Sequence, residues 1–202
     1  MKDKLRPGYT SYDDLWDVKF PRIEKHVNMI ISFLDLPEGA QCLDWGAENP
    51  RMNYMKKKMG IKVDQFAPPD LNFASYKGKR YDAVFAFYIV EHLQNALWNV
   101  RQMKNAVKEG GSIYIALPEN PMWLWGEDHY FEMRYNHFVK WILNPLGLKV
   151  VRNKKIFFVE NKKAYLIGAR PLLRILRGED TWRAMARSML CVRYRIYEIK
   201  KS

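Results

Sequence analysis

One stretch decides more about this chain than any other: Cys42-Leu43-Asp44-Trp45-Gly46-Ala47-Glu48-Asn49-Pro50. A short apolar run ends in an acid and a glycine, and Pro50 then suits the first turn of a helix. That is the local design of a nucleotide site at the C-terminal end of a strand in an open α/β sheet. A dinucleotide site needs two further glycines so that backbone can approach a pyrophosphate, and those places hold Glu48 and Pro50. A carboxylate therefore stands where a phosphate would sit, and the ligand implied is a nucleoside without phosphates.

The chain continues in the order such a site requires. Ile61-Lys62-Val63-Asp64 reads as a second strand ending in an acid, about 20 residues after the first, which makes Asp64 the first-choice ribose contact. S-adenosylmethionine fits these features, because its sulfonium and ammonium are cationic and its ribose hydroxyls seek carboxylate acceptors. Tyr81 to Leu93 is an apolar strand opening into a helix, and Glu109 to Pro118 is a Gly-Gly turn feeding another buried strand.

This series resembles the class I S-adenosylmethionine-dependent methyltransferases over most of the chain, most specifically from Tyr81 to Pro118. The family pattern L-D-x-G-x-G-x-G is met at Leu43, Asp44 and Gly46 and departs at Glu48 and Pro50. The pattern F-D-x-V-x-x-x-x-x-x-E-H is met by Tyr81, Asp82, Val84, Glu91 and His92, and the Gly-Gly strand pattern by Gly110, Gly111, Ile113, Ile115 and Pro118. The resemblance implies cofactor contacts at Asp44, Gly46, Glu48 and Asp64. It also places Phe87 and Tyr88 beside the methionine portion, and Asp70, Leu71 and Asn72 near the adenine. Some relatives hold a metal with the Glu-His pair and an acid three residues earlier. That earlier place is Tyr88 here, so no metal site is expected.

Composition agrees with an ordered single domain over residues 1–202, since 48% hydrophobic and 14% aromatic residues supply a sizeable core. No apolar run approaches the roughly 18 residues of a membrane span, and Met1-Lys2-Asp3-Lys4 lacks a signal-like stretch. Two cysteines, Cys42 and Cys191, read as buried thiols and suggest a cytoplasmic, reducing compartment. The net charge of +12 is unevenly placed. Residues 151–202 carry 14 Lys/Arg against 4 Asp/Glu, whereas residues 1–150 carry 20 against 18. Arg170, Arg174, Arg177, Arg183 and Arg187, with Arg193 and Arg195 on the final strand, suit an anionic acceptor, a membrane surface or nucleic acid, and equally a plain solvated face.

The expected fold is α/β: a Rossmann-like class I methyltransferase sheet with helices on both faces, trimmed around the third strand, with a helical insertion before the last strand. An amphipathic helix spans Pro21 to Leu34, Gly60 closes the helix after the first strand, and Asp70 to Phe73 offers only a short third strand. Helices follow over Glu91 to Val107 and Phe138 to Leu146. A strand begins at Leu148, and Cys191 to Ile199 alternates as a half-exposed final strand.

The loop Glu119 to Glu132 leaves a strand's C-terminal end and combines Trp123, Trp125 and His129 with acids, which makes it the natural acceptor wall. Methyl transfer to a hydroxyl or amine needs an in-line approach and removal of a proton. His129 is the leading base and His92 the second. His92 has a plainer use as a brace for its helix, and His129 as a loop histidine bonded to Asp128 or Glu132. The function implied is methyl transfer from S-adenosylmethionine to oxygen or nitrogen of a small or lipid-linked acceptor. Alternatives are a catalytically silent binding subunit, or a nucleic-acid methyltransferase using the basic C-terminal region. Against the last, Tyr88-Ile89-Val90-Glu91 stands where base-amine methyltransferases carry Asn-Pro-Pro-Tyr.

Overall fold

The computed structural model describes residues 24–46, 50–119, 135–158 and 192–202. Six strands among them form one sheet in the order β2-β1-β3-β4-β6-β5. β1 (Gln41–Trp45), β2 (Lys62–Phe66), β3 (Tyr81–Phe87) and β4 (Val107–Pro118) run parallel. β6 (Val192–Lys201) is antiparallel to both its neighbours, β4 and β5 (Leu148–Phe158).

Side chains alternate across this sheet, so each strand feeds two cores. On one face Leu43, Val84, Ile113, Ile115 and Tyr197 pack against Val100 and Met103 of α3 (Ala96–Ala106) and against Phe138 and Leu143. Phe138 closes α4 (Tyr135–Phe138), and the chain winds on through a π turn, Val139–Leu143, and a 3-10 turn, Asn144–Leu146. On the other face Cys42, Phe85, Tyr114 and Ile196 pack against Val27, Ile30 and Phe33 in and after α1 (24–31), and against Met52 and Met55 of α2 (Pro50–Met59). Each of these buried aliphatic side chains contributes about 1.5–3 kcal/mol relative to exposure. Burial, then the charge of Asp82, pushes the Cys42 thiol up to about 12, so it is an inert core group.

The family-like residues at the start of β3 and β4 hold the sheet together at the end opposite its C-terminal edge. Asp82 accepts hydrogen bonds from Lys108 Nζ at 2.8 Å and from the amide of Gln41 at 2.9 Å, which hold its carboxyl below the usual range. The β3–β4 register shifts between Tyr81 and Ala83, and Gly111 crosses this irregularity so closely that a Cβ would stand 2.7 Å from the Asp82 carbonyl oxygen. Only glycine fits there.

Several expected boundaries move. Asp70 to Phe73 is not a strand but a turn, in which Asp70 Oδ1 accepts from the Asn72 amide at 2.8 Å. Trp98 Nε1 donates to the Ala74 carbonyl at 3.0 Å, and the Tyr76 amide to Gln102 Oε1 at 3.0 Å, so α3 holds this loop where a crossover helix would have lain. The helix expected from Glu91 is a single 3-10 turn, Val90–His92. Leu93 is extended, and α3 starts only where the Asn95 side chain accepts from the Trp98 amide at 3.2 Å. The final strand is not half-exposed. β6 lies inside the sheet with Ile196, Tyr197, Glu198 and Ile199 all buried, and Glu198 is satisfied by Ser112 Oγ at 2.9 Å and Arg152 Nε at 2.5 Å. Pro21, Cys191 and the helical insertion lie outside the described residues.

Candidate active site

β1 pairs with β2 on one side and β3 on the other, so the crevice above its C-terminal end is the switch point where ligands of open α/β sheets bind. Gly46 stands there. Its φ of 129° is foreign to residues with a side chain, its amide donates to the Phe66 carbonyl at 3.0 Å, and Gln65 Nε2 donates to its carbonyl at 3.2 Å. Gly46 is buried, and a Cβ on it would meet Ile89 Cγ1 at 3.4 Å, so the glycine packs closely against an apolar side chain. Asp44, buried at the end of β1, lies on the same sheet face as Cys42.

Across the crevice β3 ends and the chain turns sharply. Tyr88 has a φ of 61°, in the left-handed region that costs a side-chain-bearing residue about 1 kcal/mol or more and is concentrated at functional sites. Its hydroxyl bonds His26 Nε2 of α1. Its ring meets Tyr194 of β6 edge-on, with centroids 4.7 Å apart, and carries the guanidinium of Arg51 from α2 at 5.2 Å from its centroid. Burial pushes the Tyr88 phenol well above its ordinary value. Burial, then the Arg51 charge, pulls His26 down to about 4. At neutral pH this pair is therefore a neutral imidazole against a neutral phenol. Two helices, the end of β3 and the start of β6 converge on one polar, aromatic cluster beside the crevice.

The other expected contacts are distributed less evenly. Asp64 pairs with Leu43 across β1–β2, three residues and so about 10 Å of strand short of Gly46. Its carboxylate bonds Lys79 Nζ at 2.9 Å and the Tyr81 hydroxyl at 2.8 Å, and these bonds hold the Asp64 carboxyl below the usual carboxylate range. The β2 side chain that bonds the glycine is that of Gln65. Asp70, Leu71 and Asn72 form the turn beside α3, with the Asn72 side chain accepting from the Asn95 amide at 3.3 Å. Phe87 stacks on Phe85, centroids 5.5 Å apart. Glu91 is buried and His92 half-buried in the turn just beyond Tyr88. Glu119, first residue of the expected acceptor loop, bonds Arg195 Nε at 2.5 Å in a mostly buried pair, so the charge of Arg195 is answered. Glu48, Trp123, Trp125, His129, Arg170, Arg174, Arg177, Arg183 and Arg187 lie outside the described residues, as does the side chain of Arg193.

His26, Arg51, Gln65 and Tyr194 join the site without having been singled out from the sequence. His26 had a signal, since it lies four residues before Ile30 on the apolar stripe of α1, where a polar group demands a partner. Arg51 was marked only by following Pro50.

No family model and no curated protein matches the sequence. Solved structures match by shape. The complex between the Haloferax volcanii Trm112 methyltransferase activator and a methyltransferase aligns at a TM-score of 0.64 and 13% identity, over 95% of this chain and 94% of that one. A SAM-dependent methyltransferase from Geobacter sulfurreducens in complex with S-adenosyl-L-homocysteine aligns at 0.54 and 10% identity, over 88% and 91%. The [4+2]-cyclase SpnF aligns at 0.53 and 14% identity, over 88% and 80%. With its strand order, its antiparallel β6 and the switch point at Gly46, the chain has the fold of the class I S-adenosylmethionine-dependent methyltransferases.

Proposed function

We propose that the chain binds S-adenosylmethionine in the crevice above β1 and β3, and transfers its methyl group to oxygen or nitrogen of a small or lipid-linked acceptor. The observation that carries this reading is the switch point itself. Gly46, with a φ of 129° that only glycine adopts readily, stands beside the strained Tyr88 turn at the ends of β1 and β3, with Asp44 buried at the end of β1. A shape counterpart is in complex with S-adenosyl-L-homocysteine, the demethylated cofactor. The residues fit a cationic nucleoside: a glycine stands at the switch point, Asp44 supplies negative potential, and Tyr88 supplies an aromatic ring at the end of β3.

S-adenosylmethionine supplies an electrophilic methyl group. The chain's part is to hold and orient it, exclude water, and take the proton that the acceptor releases. His92, in the turn after Tyr88, and His129, in the loop after β4, are the proposed bases. Calorimetric titration of the full chain with S-adenosylmethionine and S-adenosylhomocysteine is expected to show saturable one-to-one binding, and absence of heat and of competition for either would overturn the proposal.

A second reading, a methyltransferase-like subunit that does not transfer methyl groups, draws support from Asp64, whose carboxylate is committed to Lys79 and Tyr81. The fold is also that of a [4+2]-cyclase. Cofactor binding without methyl incorporation into any of a panel of phenols, carboxylates and amines would favour it.

A further inference from the structure

Resting on the cofactor reading above, the geometry points to Arg51 as the residue that binds the carboxylate of the cofactor's methionine half. A methionine-derived cofactor brings three charges to the crevice: a sulfonium, an ammonium and a carboxylate. The buried Asp44 at the end of β1 suits the cations. The carboxylate needs a cation of its own, and the glycine-rich backbone that would ordinarily approach this half is replaced here by Glu48 and Pro50.

Arg51 meets that need. It is exposed, it opens the helix that follows β1, and among the described residues no carboxylate pairs with its guanidinium. Arg152 and Arg195, by contrast, have acid partners, Glu198 and Glu119, at 2.5 Å. The Arg51 guanidinium instead lies over the Tyr88 ring. A guanidinium stacked on a ring keeps its edge donors free, and its fork matches a carboxylate bidentately.

Two neighbours position it. The left-handed backbone of Tyr88 turns the ring away from the β3 pleat toward α1 and α2, and the bond from its hydroxyl to His26 fixes the ring. His26 is uncharged at neutral pH, so the positive charge at this corner of the crevice belongs to Arg51.

The test uses two probes, S-adenosylmethionine and its decarboxylated form, which keeps the sulfonium and the ammonium and lacks only the carboxylate. Both are titrated into the full chain by calorimetry. The wild type is expected to prefer S-adenosylmethionine. Arg51→Ala should weaken S-adenosylmethionine by roughly tenfold to a hundredfold, the range for hydrogen bonds between charged partners, and leave the decarboxylated form within about twofold. Arg51→Lys should restore part of the preference, since an ammonium keeps the charge and loses the fork. Equal weakening of both probes in Arg51→Ala, or an undiminished preference, overturns the assignment. A wild type that binds both probes equally removes Arg51 from this role and leaves the cofactor reading intact, whereas a wild type that binds neither removes the cofactor reading itself.

Discussion

His26 makes the stability of this protein depend on pH in a window where few other groups titrate. The imidazole is buried in α1, bonded to Tyr88 and faced by Arg51 and Tyr194, and its folded pKa lies near 4 against 6.5 for an ordinary histidine. At about 1.36 kcal/mol per pH unit, this separation is worth about 3 kcal/mol. The sign follows from proton counting. Between pH 6.5 and pH 4 the unfolded chain carries a proton on His26 and the folded chain does not, so acidification pulls the equilibrium toward unfolding. The contribution is complete above pH 7, falls by about 2.5 kcal/mol by pH 4.5, and levels off below the folded pKa. Urea unfolding at half-unit intervals from pH 7.5 to 4.5 reads this directly. His26→Gln keeps an amide able to bond the Tyr88 hydroxyl, and its stability should lose most of the slope across the window. Carboxylates such as Asp64 and Asp82, held below their usual range, contribute mainly at still lower pH. A His26 ring resonance that titrates near 6.5 in the folded protein, or an unchanged slope in His26→Gln, would refute the argument.

Three further outcomes are expected. Asp64→Ala should leave S-adenosylmethionine affinity within about threefold in calorimetry, because the carboxylate is held by Lys79 and Tyr81 about 10 Å of strand below Gly46; a tenfold loss would return Asp64 to the ribose. Glu119→Gln should cost about 3 kcal/mol in urea unfolding, since it strands the mostly buried Arg195. Gly111→Ala should cost about 2 kcal/mol by driving a methyl into the Asp82 carbonyl, and its melting temperature should fall below that of Gly60→Ala, where nothing stands within 4 Å and only backbone strain is added.

The sheet's centre was legible in the sequence because β1, β3 and β4 are apolar on both faces and announce themselves as short unbroken runs. β6 was misjudged for the opposite reason. Its charged residues Arg195 and Glu198 look solvent-exposed, one on each face, yet Glu119 answers the first and Ser112 and Arg152 answer the second. Local alternation cannot reveal partners that lie dozens of residues away. The late start of α3 was visible in principle, since Asn95 is a good cap, but the acid and histidine at 91–92 offered an earlier beginning. The site divides in the same way. Gly46 and Tyr88 belong to strand ends and could be placed by position alone. The surroundings of Asp64, His26 and Arg51 depend on which elements converge: Lys79 of the loop between β2 and β3 meets the first, and α1 and α2 meet at the others.

The place of β6 between β4 and β5 has a consequence for how the molecule assembles. Among the described residues β5 has no sheet neighbour except β6, and β6 reaches β4 across long sequence gaps, as the separation of 86 positions between Ser112 and Glu198 shows. Contacts of such separation form slowly, because the chain must close a large loop before any pairing compensates. A nascent chain that has emerged only as far as β5 can pair β1 to β4, but one border of β4, with Ile113, Ile115 and Leu117, then stands open to any extended segment nearby. Until β6 is added, that open edge, rather than the finished core, is the part of the sheet that invites pairing with another chain.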